Sequence, residues 1–224
     1  MIEFEGVGHS YEQRTVLHDV NLRLGEQRVG FVGANGSGKS TLARAINGLV
    51  LPTSGRVRVD GRDTATDGRA VRRRVGFVFT NPDSQIVMPT AAEDVAFSLR
   101  RKGVPTTERT RRAHELLAAN GLAGCADHPA HQLSGGQKQL LALTAMLALE
   151  PDVLVCDEPT TLLDLRNKRD FARRLARLPQ QVVLVTHDLD LLDDFERVVV
   201  LDGGRVVADD VPREALRAYR ELVG

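Results

Sequence analysis

The chain has 224 residues, 42% of them hydrophobic and 27% charged, and its 30 basic and 30 acidic residues leave a formal net charge of zero. That length can bury one sizeable core with room for an inserted lobe. Balanced charge argues against nucleic acid as a partner, because a grip on phosphates needs a basic excess, and the two cysteines, Cys125 and Cys156, are too few for a disulfide framework or a zinc site.

No stretch is apolar for long enough to span a bilayer. Leu140 to Leu149 is interrupted by Thr144 and is about half of the ~20 residues required. Met1-Ile2-Glu3-Phe4-Glu5 lacks the basic flank and apolar centre of a signal peptide. The chain is therefore expected on the cytoplasmic side, where any membrane role requires a partner subunit.

In chain order, Ile2–Phe4 and Leu22–Leu24 read as short strands, and Val57–Val59 as a third before the turn Asp60-Gly61. These predict an antiparallel sheet beside the main one. Arg28–Val32 is an apolar strand that runs into Gly33-Ala34-Asn35-Gly36-Ser37-Gly38-Lys39-Ser40, and Lys39–Asn47 continues as a helix ended by Gly48. Arg72-Arg73-Arg74 reads as a solvated helix face before the strand Val75–Phe79. From Thr90 to Leu149 no strand signal appears. Thr90-Ala91-Ala92-Glu93 is a capping box, Glu108–Asn120 a helix closed by Gly121, and Gly135–Leu149 a helix stopped by Glu150-Pro151. Strands return at Val153–Cys156, Val182–Thr186 and Val198–Leu201, the last forming a hairpin with Arg205–Ala208, and Pro212–Leu222 closes as a helix. The predicted class is α/β, a mostly parallel core sheet with an antiparallel β subdomain and an inserted α-helical subdomain. Residues 1–89 and 150–224 form the core with its β subdomain, and residues 90–149 the insertion.

Three segments carry chemistry. Gly33–Ser40 fits G-x-x-x-x-G-K-[ST], whose small residues expose backbone N–H groups to phosphate oxygens at a helix N-terminus. In that context Lys39 reaches the β/γ-phosphates and the Ser40 hydroxyl ligates Mg²⁺. Asp157 ends a buried strand, where a carboxylate can hold Mg²⁺, and Glu158 beside it can orient or deprotonate an attacking water. His187, at the tip of a second strand, can contact a γ-phosphate. A further cradle, Leu133-Ser134-Gly135-Gly136-Gln137, lies far downstream, with Ser134 a natural N-cap. Since one triphosphate has one γ-phosphate, two cradles suggest two chains closing over shared nucleotides.

In this order and over essentially the whole chain, these segments resemble the ATP-binding-cassette (ABC) ATPase family. Gly33–Thr41 looks like its Walker A segment, with Asn35, Gly36, Ser37, Gly38, Lys39, Ser40 and Thr41 as nucleotide contacts. Val153–Glu158 resembles its Walker B, Asp164 its D-loop aspartate, His187 its switch histidine and Gln85 its Q-loop glutamine, a Mg²⁺ and catalytic-site residue. Tyr11 occupies the place of the aromatic that stacks on adenine. Leu133–Gln137 matches the signature motif without a change. The resemblance implies a head-to-tail dimer with an identical or closely related second ATPase, ATP lying between the Walker A loop of one chain and Ser134, Gly135, Gly136 and Gln137 of the other. The chain departs from the family after Pro159-Thr160: Thr161-Leu162-Leu163-Asp164 stands where a small residue and a glycine usually precede Leu-Asp.

The segment Phe79–Val87 and the following Glu93–Phe97 resemble the ATPases of energy-coupling factor (ECF) importers, which take up vitamins and cobalt or nickel ions. That likeness implies a transmembrane coupling protein, a substrate-capture membrane protein and a peripheral position on the membrane. Glu93 and Asp94 then either receive basic groups of the coupling protein or stabilise the first turn of their own helix. Ile86–Thr90 and the short C-terminus are similar to the biotin-type ATPase. The competing readings are an ATPase of a conventional importer or exporter, and a soluble ABC protein acting on DNA or ribosomes. The second is disfavoured by the absence of a tandem cassette, coiled coil or basic surface, and a simple nucleotide kinase has no use for Leu133–Gln137.

Overall fold

The computed structural model describes residues 1–224 and begins with β1 (Ile2–Tyr11), β2 (Arg14–Leu24), β3 (Arg28–Gly33), α1 (Lys39–Ile46), β4 (Ser54–Val59) and the two-residue β5 (Arg62–Asp63). The helix α2 (Gly68–Arg74) leads into β6 (Val75–Val78), and three helices follow: α3 (Ala91–Lys102), α4 (Thr106–Ala119) and α5 (Gly135–Leu147). The chain then forms β7 (Val153–Asp157), α6 (Leu165–Ala176), β8 (Gln181–Val185), the hairpin β9 (Arg197–Asp202) and β10 (Arg205–Asp210), and α7 (Pro212–Val223).

Strands β3, β6 and β7 are buried at every residue, as expected of parallel strands covered on both faces. The main sheet has the order β10-β9-β3-β8-β7-β6, with β9 through β6 parallel and β10 antiparallel. Register aligns the strand ends: Gly33 pairs with Leu201, and Phe31 and Asp157 both pair with Val185. The carboxyl ends of β3, β7 and β8 therefore meet on one edge, the position at which open α/β sheets hold ligands. A separate antiparallel sheet has the order β2-β1-β4-β5.

One core, containing Phe4, Leu24, Phe31, Leu42 and Ile46, joins the small sheet and α1 to one face of the main sheet. A second, containing Leu143, Phe171, Leu175 and Leu216, packs helices against the other face. The third belongs to α3–α5 and includes Val95, Leu99, Leu117 and Leu141. Each fully buried Leu, Ile or Phe contributes about 1.5–3 kcal/mol, so the helical insertion has its own apolar support.

Strand β1 runs well past the predicted Ile2–Phe4. Gly6 adopts φ +58 within a register shift between Phe4 and Val7 and donates to Asn21 Oδ1 at 2.7 Å. It bends the strand without ending it. Helix α6 carries no obvious signal, since only Phe171 and Leu175 of its twelve residues are buried.

Both predicted caps are formed. Thr90 and Glu93 make a reciprocal capping box on α3, as do Ser134 and Gln137 on α5. Glu93 is thus committed to its own helix. Asp94 is 4% exposed, and its Oδ1 accepts from the N–H groups of Val87 and Met88 at 2.9 and 3.1 Å, pinning α3 to the preceding loop. Burial raises its carboxyl above the ordinary 3.8, opposed by those two bonds. A carboxyl raised on folding makes the native state hold more protons than the unfolded chain, so stability falls as pH climbs from 3.8 through the folded value. Asp94→Asn keeps the acceptor and loses the charge. Its Tm at neutral pH should exceed that of the parent, by roughly 2–4 °C per kcal/mol relieved, and the gap should close in acid. A gap that persists unchanged at low pH in thermal scans would refute this account.

Candidate nucleotide site

The loop after β3 is a cradle of unspent donors. Gly36 and Gly38 have φ +80 and +100, which turn successive amides toward one side of the loop. The backbone N–H groups of Gly36, Gly38, Lys39, Ser40 and Thr41 make no hydrogen bond within the chain, whereas Ser37 N donates to Ala34 O at 3.1 Å. Ser37 Oγ is buried without a partner. Gly33 is held tightly: a Cβ there would lie 2.1 Å from Leu201 O. Five free amides at a helix N-terminus, with an orphaned hydroxyl among them, fit phosphate oxygens. Lys39 Nζ donates to the carbonyls of Gly33 and Ala34 at 2.8 and 2.9 Å beneath the loop. Desolvation lowers its pKa from 10.5, and Glu158 and Asp157 oppose that shift.

Asp157, 1% exposed, is where the loop helix, β6 and β7 converge. Its Oδ1 accepts from Ser40 Oγ at 2.7 Å, its Oδ2 meets Arg44 Nη2 at 3.0 Å, and its backbone oxygen accepts from Thr80 Oγ1 at 2.7 Å. A hydroxyl and a carboxylate in contact are a suitable oxygen pair for Mg²⁺, held directly or through water.

Glu158 follows with φ +49, a strained conformation for a residue with a side chain. The turn throws its carboxylate back toward β8: His187 Nε2 is 2.7 Å from Oε1, and Thr161 Oγ1 donates to Oε2 at 3.2 Å. The neighbouring Asp188 is fixed by Lys168 at 2.8 Å and Thr160 at 2.9 Å.

Other site candidates are placed differently. Gln85 does not bond Ser40 or Asp157; its amide accepts from Phe79 N and donates to Ala142 O, each at 3.2 Å. A metal contact requires it to leave both. Gln137 is likewise committed, its Oε1 to Ser134 N at 2.8 Å and its Nε2 to Cys125 Sγ at 3.2 Å. Tyr11 is 48% exposed at the end of β1, edge-on to His9. Its register partner Arg14 has a guanidinium nitrogen 3.9 Å from where a Gly36 Cβ would lie, so this strand end stands beside the loop. Gly135 and Gly136 N–H groups are free, and no hydrogen bond joins Leu133–Gln137 to Gly33–Thr41. Neighbours of the signature are Leu162, Cys125 and Asn167, the last 2.7 Å from a Cβ placed on Gly136.

The family model described as "ABC transporter" matches residues 17–161, more than half of the chain. The chain belongs to the ABC transporter family. Among its relatives, this ABC ATPase is 46% identical over 221 residues to the biotin transport ATP-binding protein BioM of Rhizobium etli, covering 99% of this chain and 98% of that one. It is 41% identical over 214 residues to the energy-coupling factor transporter ATP-binding protein EcfA1 of Caldanaerobacter subterraneus, covering 92% and 77%. Its fold superposes with a TM-score of 0.86, at 33% identity, on the ATP-binding cassette MJ0796, a dimer in a post-hydrolysis state with ADP and Pi, covering 95% and 99%.

Sequence reasoning missed Arg44, Thr80 and Lys168. Arg44 was findable, since i and i+4 on a helix share a face and Ser40 is four residues earlier. Thr80 and Lys168 had no sequence signal, because their partners lie in distant segments. Removing the Lys39 ammonium from the ABC ATPase should lower ATP affinity at least about 10-fold, the loss of one charge-assisted contact. Lys39→Ala that binds ATP normally by calorimetry would remove this loop from the site.

Proposed function

We propose that the chain is the ATP-hydrolysing subunit of an ECF-type importer. It acts in a head-to-tail pair of ATPases on the cytoplasmic side of the membrane, with biotin the favoured cargo. The observation that carries this reading is the pairing of unspent donors: the free amides of Gly36 and Gly38–Thr41 on one element, and those of Gly135 and Gly136, behind the Ser134 cap, on another to which nothing bonds them. Each is half of a phosphate enclosure, and a second copy presented head to tail completes both. The ADP- and Pi-bound dimer of MJ0796 supports the arrangement. The names of the BioM and EcfA1 relatives support the transport system.

In this reading the free amides and Lys39 hold the β/γ-phosphates, Tyr11 stacks on the base, and Ser40 and Asp157 hold Mg²⁺. The ion supplies charge neutralisation at the phosphate oxygens. Glu158 orients the attacking water and receives its proton, while His187 keeps the Glu158 carboxylate aimed and responds to the γ-phosphate. Closing the partner's Ser134–Gly136 over the same phosphate excludes bulk water, which strengthens every charge interaction in the seam.

Membrane coupling enters through a groove of about 300 Å³ between the Phe79–Val87 loop and the helical insertion, residues 90–149. Phe79, Val87, Phe97, Met146 and Leu149 give it apolar walls, and Asp94 gives it a buried charge. Gln85 lines this groove and bonds the backbone of Phe79, whose successor Thr80 bonds Asp157. A helix of the coupling protein seated here pushes on a segment one residue from Thr80, which holds the backbone of Asp157. Among the competing readings this favours an ATPase that docks on a membrane subunit over a soluble ABC protein.

Glu158→Gln should bind ATP, turn over at least about 100-fold more slowly and run as a dimer on a sizing column with ATP. A variant that stays monomeric at high concentration opposes the sandwich. Ser134→Arg sacrifices a cap worth only about 1 kcal/mol, so the insertion stays folded. It should bind ATP like the parent and hydrolyse almost none, and loss of binding would put Ser134 in its own chain's pocket.

A further inference from the structure

We propose that the basic concavity between α2 and the C-terminal end of α3 binds the anionic phospholipid headgroups of the membrane that carries the transporter. Arg69, Arg72, Arg73, Arg101 and Lys102 line a cavity of about 570 Å³ whose one apolar contributor is Leu149. All five cations are exposed. Only Lys102 has a carboxylate within reach, Glu150 at 2.9 Å. The four arginines have none, although elsewhere Arg111, Arg112, Arg173 and Arg217 each meet a helical carboxylate three or four residues away. In a chain of zero net charge, this is a local excess.

The bland explanation is that basic residues cluster at helix C-termini to offset the macrodipole. Each helix end carries about half a charge, so two ends offset about one cation and leave the rest. Guanidinium forks match phosphate oxygens two at a time. The near absence of apolar lining suits hydrated headgroups better than a packed helix.

Orientation rests on the docking reading above. Arg72, Arg73, Arg101 and Leu149 line both this concavity and the groove assigned to the coupling protein, so both open on one face. A groove that receives a membrane subunit turns the adjacent cations toward the bilayer surface. There each basic residue strengthens attraction to an anionic leaflet about fivefold.

The test is co-sedimentation of the purified chain with vesicles of phosphatidylcholine alone or mixed with phosphatidylglycerol. Arg69→Gln with Lys102→Gln changes the two cations that line the concavity and not the groove. Arg166→Gln with Arg169→Gln on α6 removes the same charge elsewhere, and thermal unfolding verifies that both fold. Expected are binding to the mixed vesicles alone, a loss of about 25-fold in the concavity variant, no loss in the α6 variant, and weakening by salt. Equal binding to both vesicle types, or equal loss in the α6 variant, overturns the proposal. So does absence of vesicle binding together with failure of the concavity variant to assemble with the membrane subunits in lipid-free detergent, which assigns the cations to protein carboxylates. Vesicle binding by a chain that does not co-purify with a membrane subunit upholds the lipid site and sinks the docking reading alone.

Discussion

Asp157 is the constraint on which the rest of the site depends. A carboxylate almost wholly removed from water is costly unless its oxygens are satisfied. Here Ser40 and Arg44 come from α1, and Thr80 comes from the segment after β6 to hold the backbone oxygen. These bonds fix the phosphate loop, the end of β7 and the start of the Phe79–Val87 loop relative to one another. The parallel register makes this possible, because only strands finishing on the same edge can bring residues 40, 80 and 157 into contact. Ser40 and Asp157 are the residues that would hold a cation at this junction, and Thr80 ties the same strand end to the segment after β6.

Phe79 makes that junction communicative. Its N–H donates to the Gln85 side chain and its carbonyl accepts from Gln139 at 3.1 Å, so two helical-side amides grip both polar groups of one residue. Gln85 in turn donates to Ala142 on α5, the helix whose first turn is the signature. The groove, the signature helix and Asp157 are therefore joined through a handful of hydrogen bonds, each worth about 1 kcal/mol net. Bonds of that size hold one arrangement while letting a nucleotide or a docked helix select another.

The parallel strands and the phosphate loop were legible in sequence because both are dictated locally: fully buried strands are continuous apolar runs, and the loop's glycines are required by its φ values. The Thr90–Glu93 capping box and the Ser134 cap were legible for the same reason, whereas the part Gln137 plays in a second box was not read. The full length of β1 was hidden by Gly6, whose freedom serves a bulge here and a turn in most other contexts. Helix α6 was hidden because its few buried residues sit on an otherwise polar helix, started by an Asp164 cap that accepts from Asn167 N at 2.8 Å. Gln85 and Gln137 show a different limit. Their motif positions could be read, but the bonds that occupy their amides come from Phe79, Ala142 and Cys125, whose proximity is a property of the packing.

The departure at Thr161-Leu162-Leu163 acquires a physical meaning from its surroundings. Leu163 is 9% exposed and belongs to the core, whereas Leu162 and Leu165 are 63% and 64% exposed. They flank Asp164 beside the signature, where Leu162 O lies 3.7 Å from a Cβ placed on Gly135. In the proposed sandwich Leu162 stands at the edge of the seam, at a position where the glycine usual in the family would offer no apolar side chain. Covering a leucine is worth up to about 3 kcal/mol when complete, and that attraction is present whether or not phosphate occupies the cradle. The charged contacts of the γ-phosphate must then supply a smaller share of closure. Opening after hydrolysis must overcome an attraction that hydrolysis does not remove. In the proposed importer, a helix of the coupling protein docked in the groove is the element left to separate the two copies, which would tie release of the ATPases to the membrane subunit.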